Sequence, residues 1–91
     1  MPVADRMREK LSERFRPSRL DIIDESHRHE GHPGARPGGE THFMIAITAA
    51  EFAGLNRVAR QRLVYEALAQ ELAGPVHALS LEVRAPGEDR G

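Results

Sequence analysis

The sequence predicts an α+β domain: a three-stranded sheet with helices on one of its faces, in two layers and in the order α-β-β-α-α-β. Three observations lead there. Apolar residues recur every three or four positions from Val3 to Phe15 and again from Ala59 to Leu72, which is the spacing of an amphipathic helix. Between Thr41 and Ala49 the period drops to two, with Phe43, Ile45 and Ile47 on one side and His42, Met44 and Thr48 on the other. The 91 residues make one domain's worth of chain, able to bury a single small core between two layers.

In the first helix Val3, Met7, Leu11 and Phe15 form the apolar stripe, and Arg6, Arg8, Glu9, Lys10, Glu13 and Arg14 cover the rest. Asp5 is expected to cap its start. Pro17 ends it, because the residue before a proline is pushed out of helical geometry. Leu20 to Glu25 is a short strand. From Ser26 to Glu40 four glycines and two prolines exclude regular structure, and a loop this long is functional or disordered. Thr41 to Ala49 is the clearest strand, pairing with the first as a long-looped antiparallel hairpin. Glu51-Phe52-Ala53-Gly54 reads as one helical turn. Asn56 then caps a long helix whose apolar face is Ala59, Leu63, Val64, Ala67, Leu68 and Leu72, closed by Gly74-Pro75. Arg57, Gln61, Arg62, Glu66 and Gln70 lie towards its solvent side, with Arg62 and Glu66 as an i, i+4 pair. Val76 to Val83 is a third strand, with His77, Leu79, Leu81 and Val83 on one face, and a right-handed crossover returns it to the same sheet. The tail has nothing to pack against. Residues 1–91 are thus expected to form one domain, with an ordered core over about 3–84, a flexible loop at 26–40 and a mobile tail at 85–91.

Composition narrows the chemistry. Thirteen Lys+Arg against 14 Asp+Glu leave a net charge of −1, which argues against attachment to nucleic acid by bulk charge alone. Without cysteine the chain has no disulfide, no thiol nucleophile and no thiolate metal ligand of its own. No apolar run approaches the ~20 residues that span a bilayer. The first residues lack the basic-then-apolar layout of a targeting segment, so a cytoplasmic, bacterial protein without a membrane partner is expected. There is no nucleophile–base constellation, phosphate-cradling glycine loop or paired carboxylate in an apolar setting, so neither catalysis nor a small-molecule substrate is expected.

The five histidines are the residues to weigh. His77 reads either as a half-buried imidazole at a sheet edge, bonded to a carbonyl, or as a ligand. His29 reads either as a solvated loop residue or as a ligand. His27, His29 and His32 together have donors suited to zinc, copper or nickel, but a loop without regular structure is poorly preorganised, and adventitious capture is expected over a dedicated site. His42 falls opposite the Phe43 face and reads as structural. Arg57, Arg60 and Arg62 read either as a solvated helix face or as contacts to phosphate, glutathione, nucleic acid or a partner's carboxylate.

Several segments carry a resemblance in fixed order: Pro17-Ser-Arg-Leu20, Asp24-Glu25-Ser26, Arg28-His29, Gly39-Glu-Thr-His-Phe43, Phe52-Ala-Gly54, Arg60-Gln-Arg-Leu-Val-Tyr65, Glu71-Leu72 and Pro75-Val-His-Ala-Leu-Ser80. Over about residues 5–86 the chain resembles the BolA family. The resemblance implies a fold similar to the class II KH domain and a heterodimer with a monothiol glutaredoxin, bridged by a [2Fe–2S] cluster that also involves glutathione. The role implied is iron–sulfur trafficking or maturation, or iron sensing. His77 matches the family's His in Val-His-Ala-Leu and is the implied first ligand. His29 matches the position carrying His or Cys and is the implied second, with His27 or His32 as substitutes. No cluster is expected in the isolated chain. The alternative implied by some bacterial members is a DNA-binding transcriptional regulator of cell morphology and stress response. One departure is clear: Gln61 stands where the family usually has His, between Arg60 and Arg62.

Overall fold

The computed structural model describes residues 2–25, 42–74, 76 and 78–88. Helix α1 (Val3–Phe15) buries all four residues of its predicted stripe. Asp5 does not cap it. Pro2 occupies the cap position without a side-chain acceptor, and Asp5 lies within the first turn, where a carboxylate favours the helix dipole instead. The helix ends as Arg16 turns left-handed (φ 48°) and its N–H bonds to Ser12 O at 3.0 Å.

Strands β1 (Arg19–Asp24), β2 (His42–Thr48) and β3 (Ala78–Arg84) form one sheet in the order β1-β2-β3. The predicted hairpin is present, since β1 runs antiparallel to β2. β3 runs parallel to β2, so its connection must cross the sheet. The register places Leu20 opposite Ile47, Ile22 opposite Ile45, and Phe43, Ile45 and Ile47 opposite Leu79, Leu81 and Val83. These residues make one apolar face under the helices, as the alternation required.

The crossover is a 3-10 turn (Ala50–Phe52) followed by α2 (Arg57–Ala67) and α3 (Ala69–Ala73). Phe52 packs its ring 4.9 Å from that of Phe15, tying the turn to α1. Asn56 caps α2 as expected, its side chain accepting from Ala59 N–H at 2.8 Å. The single long helix expected from Asn56 to Gly74 is, however, broken at Leu68 (φ −107°, ψ 20°). The break re-aims the last turn, so that Leu68 stays fully buried while Glu71 meets α1. The Glu71 carboxylate, 1% exposed, accepts from Lys10 Nζ at 2.8 and 2.9 Å and lies 3.5 Å from Arg6 Nε. Its backbone carbonyl accepts from the N–H of Gly74 and of buried Val76, which turns the chain towards β3. Val76, expected to open the strand, thus belongs to the turn before it.

The expectation that nothing beyond Arg84 packs is overturned at Ala85 and Glu88. Ala85-Pro86-Gly87-Glu88 is a tight turn with Pro at its second position, Gly87 at φ 91° in its third, and Glu88 N–H bonded to Ala85 O at 3.1 Å. Ala85 is buried and Glu88 reaches back to α2. The loop at 26–40 and residues 89–91 lie outside the described residues.

Candidate functional site

One end of the sheet gathers the described residues that flank the histidine-bearing segments. β1 finishes at Asp24, opposite Phe43, and Glu25 N–H donates to His42 O at 2.8 Å. His42 in turn stands opposite Ala78, the first residue of β3. The stems of the long loop and the start of β3 therefore meet at a single edge. Behind that edge, the bond from Val76 N–H to Glu71 O and the Lys10–Glu71 pair fix the approach to β3. Of the five histidines His42 alone is described, half-buried at the head of β2. His27, His29, His32 and His77 lie outside the described residues. Among the described residues no three His, Asp or Glu converge as metal ligands.

The basic cluster is at the other end of β3 and is not one surface. Arg60 is a structural staple, 14% exposed. Its Nε donates to Leu55 O at 2.9 Å and its Nη1 to Val83 O at 3.3 Å. Nη1 and Nη2 also grip the Glu88 carboxylate at 2.6 and 2.9 Å, while Ala85 N–H donates to the same carboxylate at 3.0 Å. The Arg60 hydrogen bond, with that from Ala85, holds the Glu88 carboxyl down at about 2, and Glu88 in turn raises Arg60 above its ordinary value. Arg57 and Arg62 are exposed. The expected Arg62–Glu66 pair is not among the ion pairs of the described residues, since an exposed i, i+4 pair gains too little to hold two long side chains. Arg57, Arg60, Gln61, Arg84 and Glu88 share the walls of a cleft of about 600 Å³ with Leu81, and Arg62 is not part of its lining.

Sequence reasoning thus missed two acids. Glu71 shows no local sign of burial, because its cations come from α1, Lys10 lying 61 residues away in sequence. Glu88 was legible in principle, because Pro-Gly before an acid is a turn signal that returns the chain on itself.

The family model described as BolA-like protein matches residues 11–88. BolA-like protein 1 of Homo sapiens is 44% identical over 89 residues, covering 98% of this chain and 62% of that one. The chain therefore spans about three fifths of that relative's length. The DNA-binding transcriptional regulator BolA of Vibrio cholerae is 42% identical over 79 residues, covering 87% of this chain and 71% of that one. Among solved structures, BolA1 from Arabidopsis thaliana superimposes with a TM-score of 0.82 at 42% identity, covering 94% of each chain.

Proposed function

Since the chain belongs to the BolA-like family, we propose that it works as a non-catalytic cytoplasmic partner of a monothiol glutaredoxin, the two holding a [2Fe–2S] cluster between them for iron–sulfur trafficking or iron sensing. The observation that carries this reading is the shared edge at Glu25, His42 and Ala78, from which the segments bearing His29 and His77 both depart. The donor set fits a shared site. Two imidazoles meet half of a four-ligand requirement, and a chain without cysteine leaves the thiolates to the partner and to glutathione. Imidazole ligation on one iron would raise the cluster's potential above that of an all-thiolate centre. His77, one residue from an anchored strand, needs less ordering than His29, for which His27 or His32 can partly substitute.

Anaerobic co-purification with a monothiol glutaredoxin, followed by visible absorption and circular dichroism, tests the reading. His77→Ala should shift the spectrum towards that of the glutaredoxin's own all-thiolate cluster, His29→Ala should do so less, and Gln61→Ala not at all. A hetero-complex whose cluster spectrum survives His77→Ala would remove the ligand assignment.

A second reading, contact with nucleic acid, is favoured by the arginines of the α2–β3 cleft and by the name of the Vibrio relative. A fall in duplex affinity of at least about a hundredfold between about 50 and 200 mM salt would support several phosphate contacts.

A further inference from the structure

The Arg60–Glu88 contact gathers three N–H donors on one carboxylate, an arrangement that suits any oxyanion. Glu88 collects both guanidinium Nη groups and the Ala85 amide, which belongs to a residue only 4% exposed. The guanidinium keeps its place without Glu88, because its Nε and Nη1 are independently bonded to Leu55 O and Val83 O. Were Glu88 to swing out on its short turn, it would leave the outward N–H groups of a fixed guanidinium and the Ala85 N–H open to another oxyanion entering the cleft. Glu88 also lines the cleft that carries Arg57, Gln61 and Arg84, with Leu55 and Leu81 as its apolar wall.

We propose that Arg60 and the Ala85 amide form a phosphate subsite of this cleft, and that Glu88 is its built-in competitor, occupying the subsite until a phosphate-bearing ligand displaces it. The class of ligand follows from the competition. A carboxylate in solution offers nothing that Glu88 does not already offer at the high effective concentration of an attached group. A phosphate brings more acceptor oxygens and more charge, enough to take all the donors and to engage Arg57 as well. The apolar wall suits an organic portion beyond the phosphate, whether a nucleic-acid backbone with its bases or a free phosphorylated compound. This inference does not depend on the shared-cluster reading, and it survives failure of the nucleic-acid reading if free phosphate binds.

The test uses the full chain without partner or cluster, following the Ala85 amide and the Arg60 Nε–H by NMR at constant ionic strength. The probes are inorganic phosphate, acetate and a twelve-nucleotide single strand. Phosphate should move both signals and acetate neither. Glu88→Gln should tighten phosphate binding about tenfold, Arg60→Lys in that background should abolish it, and Glu82→Gln, which removes a neighbouring carboxylate from the same cleft, should have far less effect. A strand that saturates well below free phosphate identifies a phosphodiester ligand. A strand that binds no better identifies a free phosphorylated compound, and either result supports the subsite. The proposal is overturned if phosphate leaves both signals unmoved in the Glu88→Gln protein, if Glu88→Gln binds no tighter than the unaltered chain, or if Glu82→Gln tightens binding equally. A dispersed spectrum in each variant separates lost binding from lost fold.

Discussion

Glu71 is buried because two cations follow it in. A carboxylate at 1% exposure is tolerable only while Lys10 and Arg6 neutralise it, and Lys10 makes the shorter contacts. Lys10→Met should therefore destabilise the domain by about 2–4 kcal/mol in chemical denaturation, the more distant Arg6 recovering part of the loss. Lys10→Met with Glu71→Leu should recover much of the rest, because a buried pair is often replaceable by apolar packing. A loss below about 0.5 kcal/mol for the single variant would contradict the burial argument. Glu88 behaves differently, standing partly in solvent. Its carboxyl is held at about 2, well below the ordinary 4.5, so the folded state binds that proton less readily than the unfolded one. The stability it contributes is present above pH 4.5 and disappears as pH falls from about 4.5 to about 2. A carboxyl-carbon NMR titration should find Glu88 in that low range, and Arg60→Gln should raise it most of the way towards the ordinary one, the Ala85 amide still holding it somewhat below.

At the scale of elements, α1 and β2 were written in local periodicity, and the structure repeats that periodicity. Val3, Met7, Leu11 and Phe15 are buried because a four-residue step stays on one side of a helix, and Phe43, Ile45 and Ile47 because a two-residue step stays on one side of a strand. Asn56 was equally legible, since its capping partner lies three residues away. What failed depended on distant chain. The break at Leu68 answers to Lys10 and Glu71, and the return of the tail answers to Arg60. Of the candidate site, the shared edge was legible as strand ends, whereas Arg60's burial depended on a carbonyl of β3 and a carboxylate in the tail. The two caps give a paired prediction. Asn56→Ala should cost about 1 kcal/mol, because it strips a hydrogen bond from the first turn of α2. Asp5→Ala, which removes only a dipole interaction at an exposed residue, should cost about 0.3–1 kcal/mol and lose most of that in high salt. Thermal melts at low and high salt separate the two.

For the molecule as a whole, β3 is a shared rail with a different chemistry at each end. Ala78 stands at the histidine-bearing edge, and Leu81 to Arg84 line the arginine cleft. Changes at the two ends should therefore be independent, as is usual for substitutions without shared partners. His77→Ala should alter the hetero-complex spectrum and leave phosphate affinity as it was, and Glu88→Gln should do the reverse. A double variant whose two readouts depart from those of the single variants would show that the ends communicate along the strand.

The parallel pairing of β3 also decides the order in which this chain can reach its native state. The β1–β2 hairpin needs only its own loop to close, but His42 and Ala78 are 36 residues apart, and nothing brings them together until the crossover has collapsed onto the hairpin. Docking β3 is then the late, non-local event that sets the folding rate. Substitutions that loosen Leu68 or Val64 should slow refolding, because those residues shorten the path that β3 must search. Those that loosen the Glu88 clasp on Arg60 should leave refolding alone and hasten unfolding instead, since that clasp can close only after β3 is in place. The two arms of a chevron plot read these effects separately.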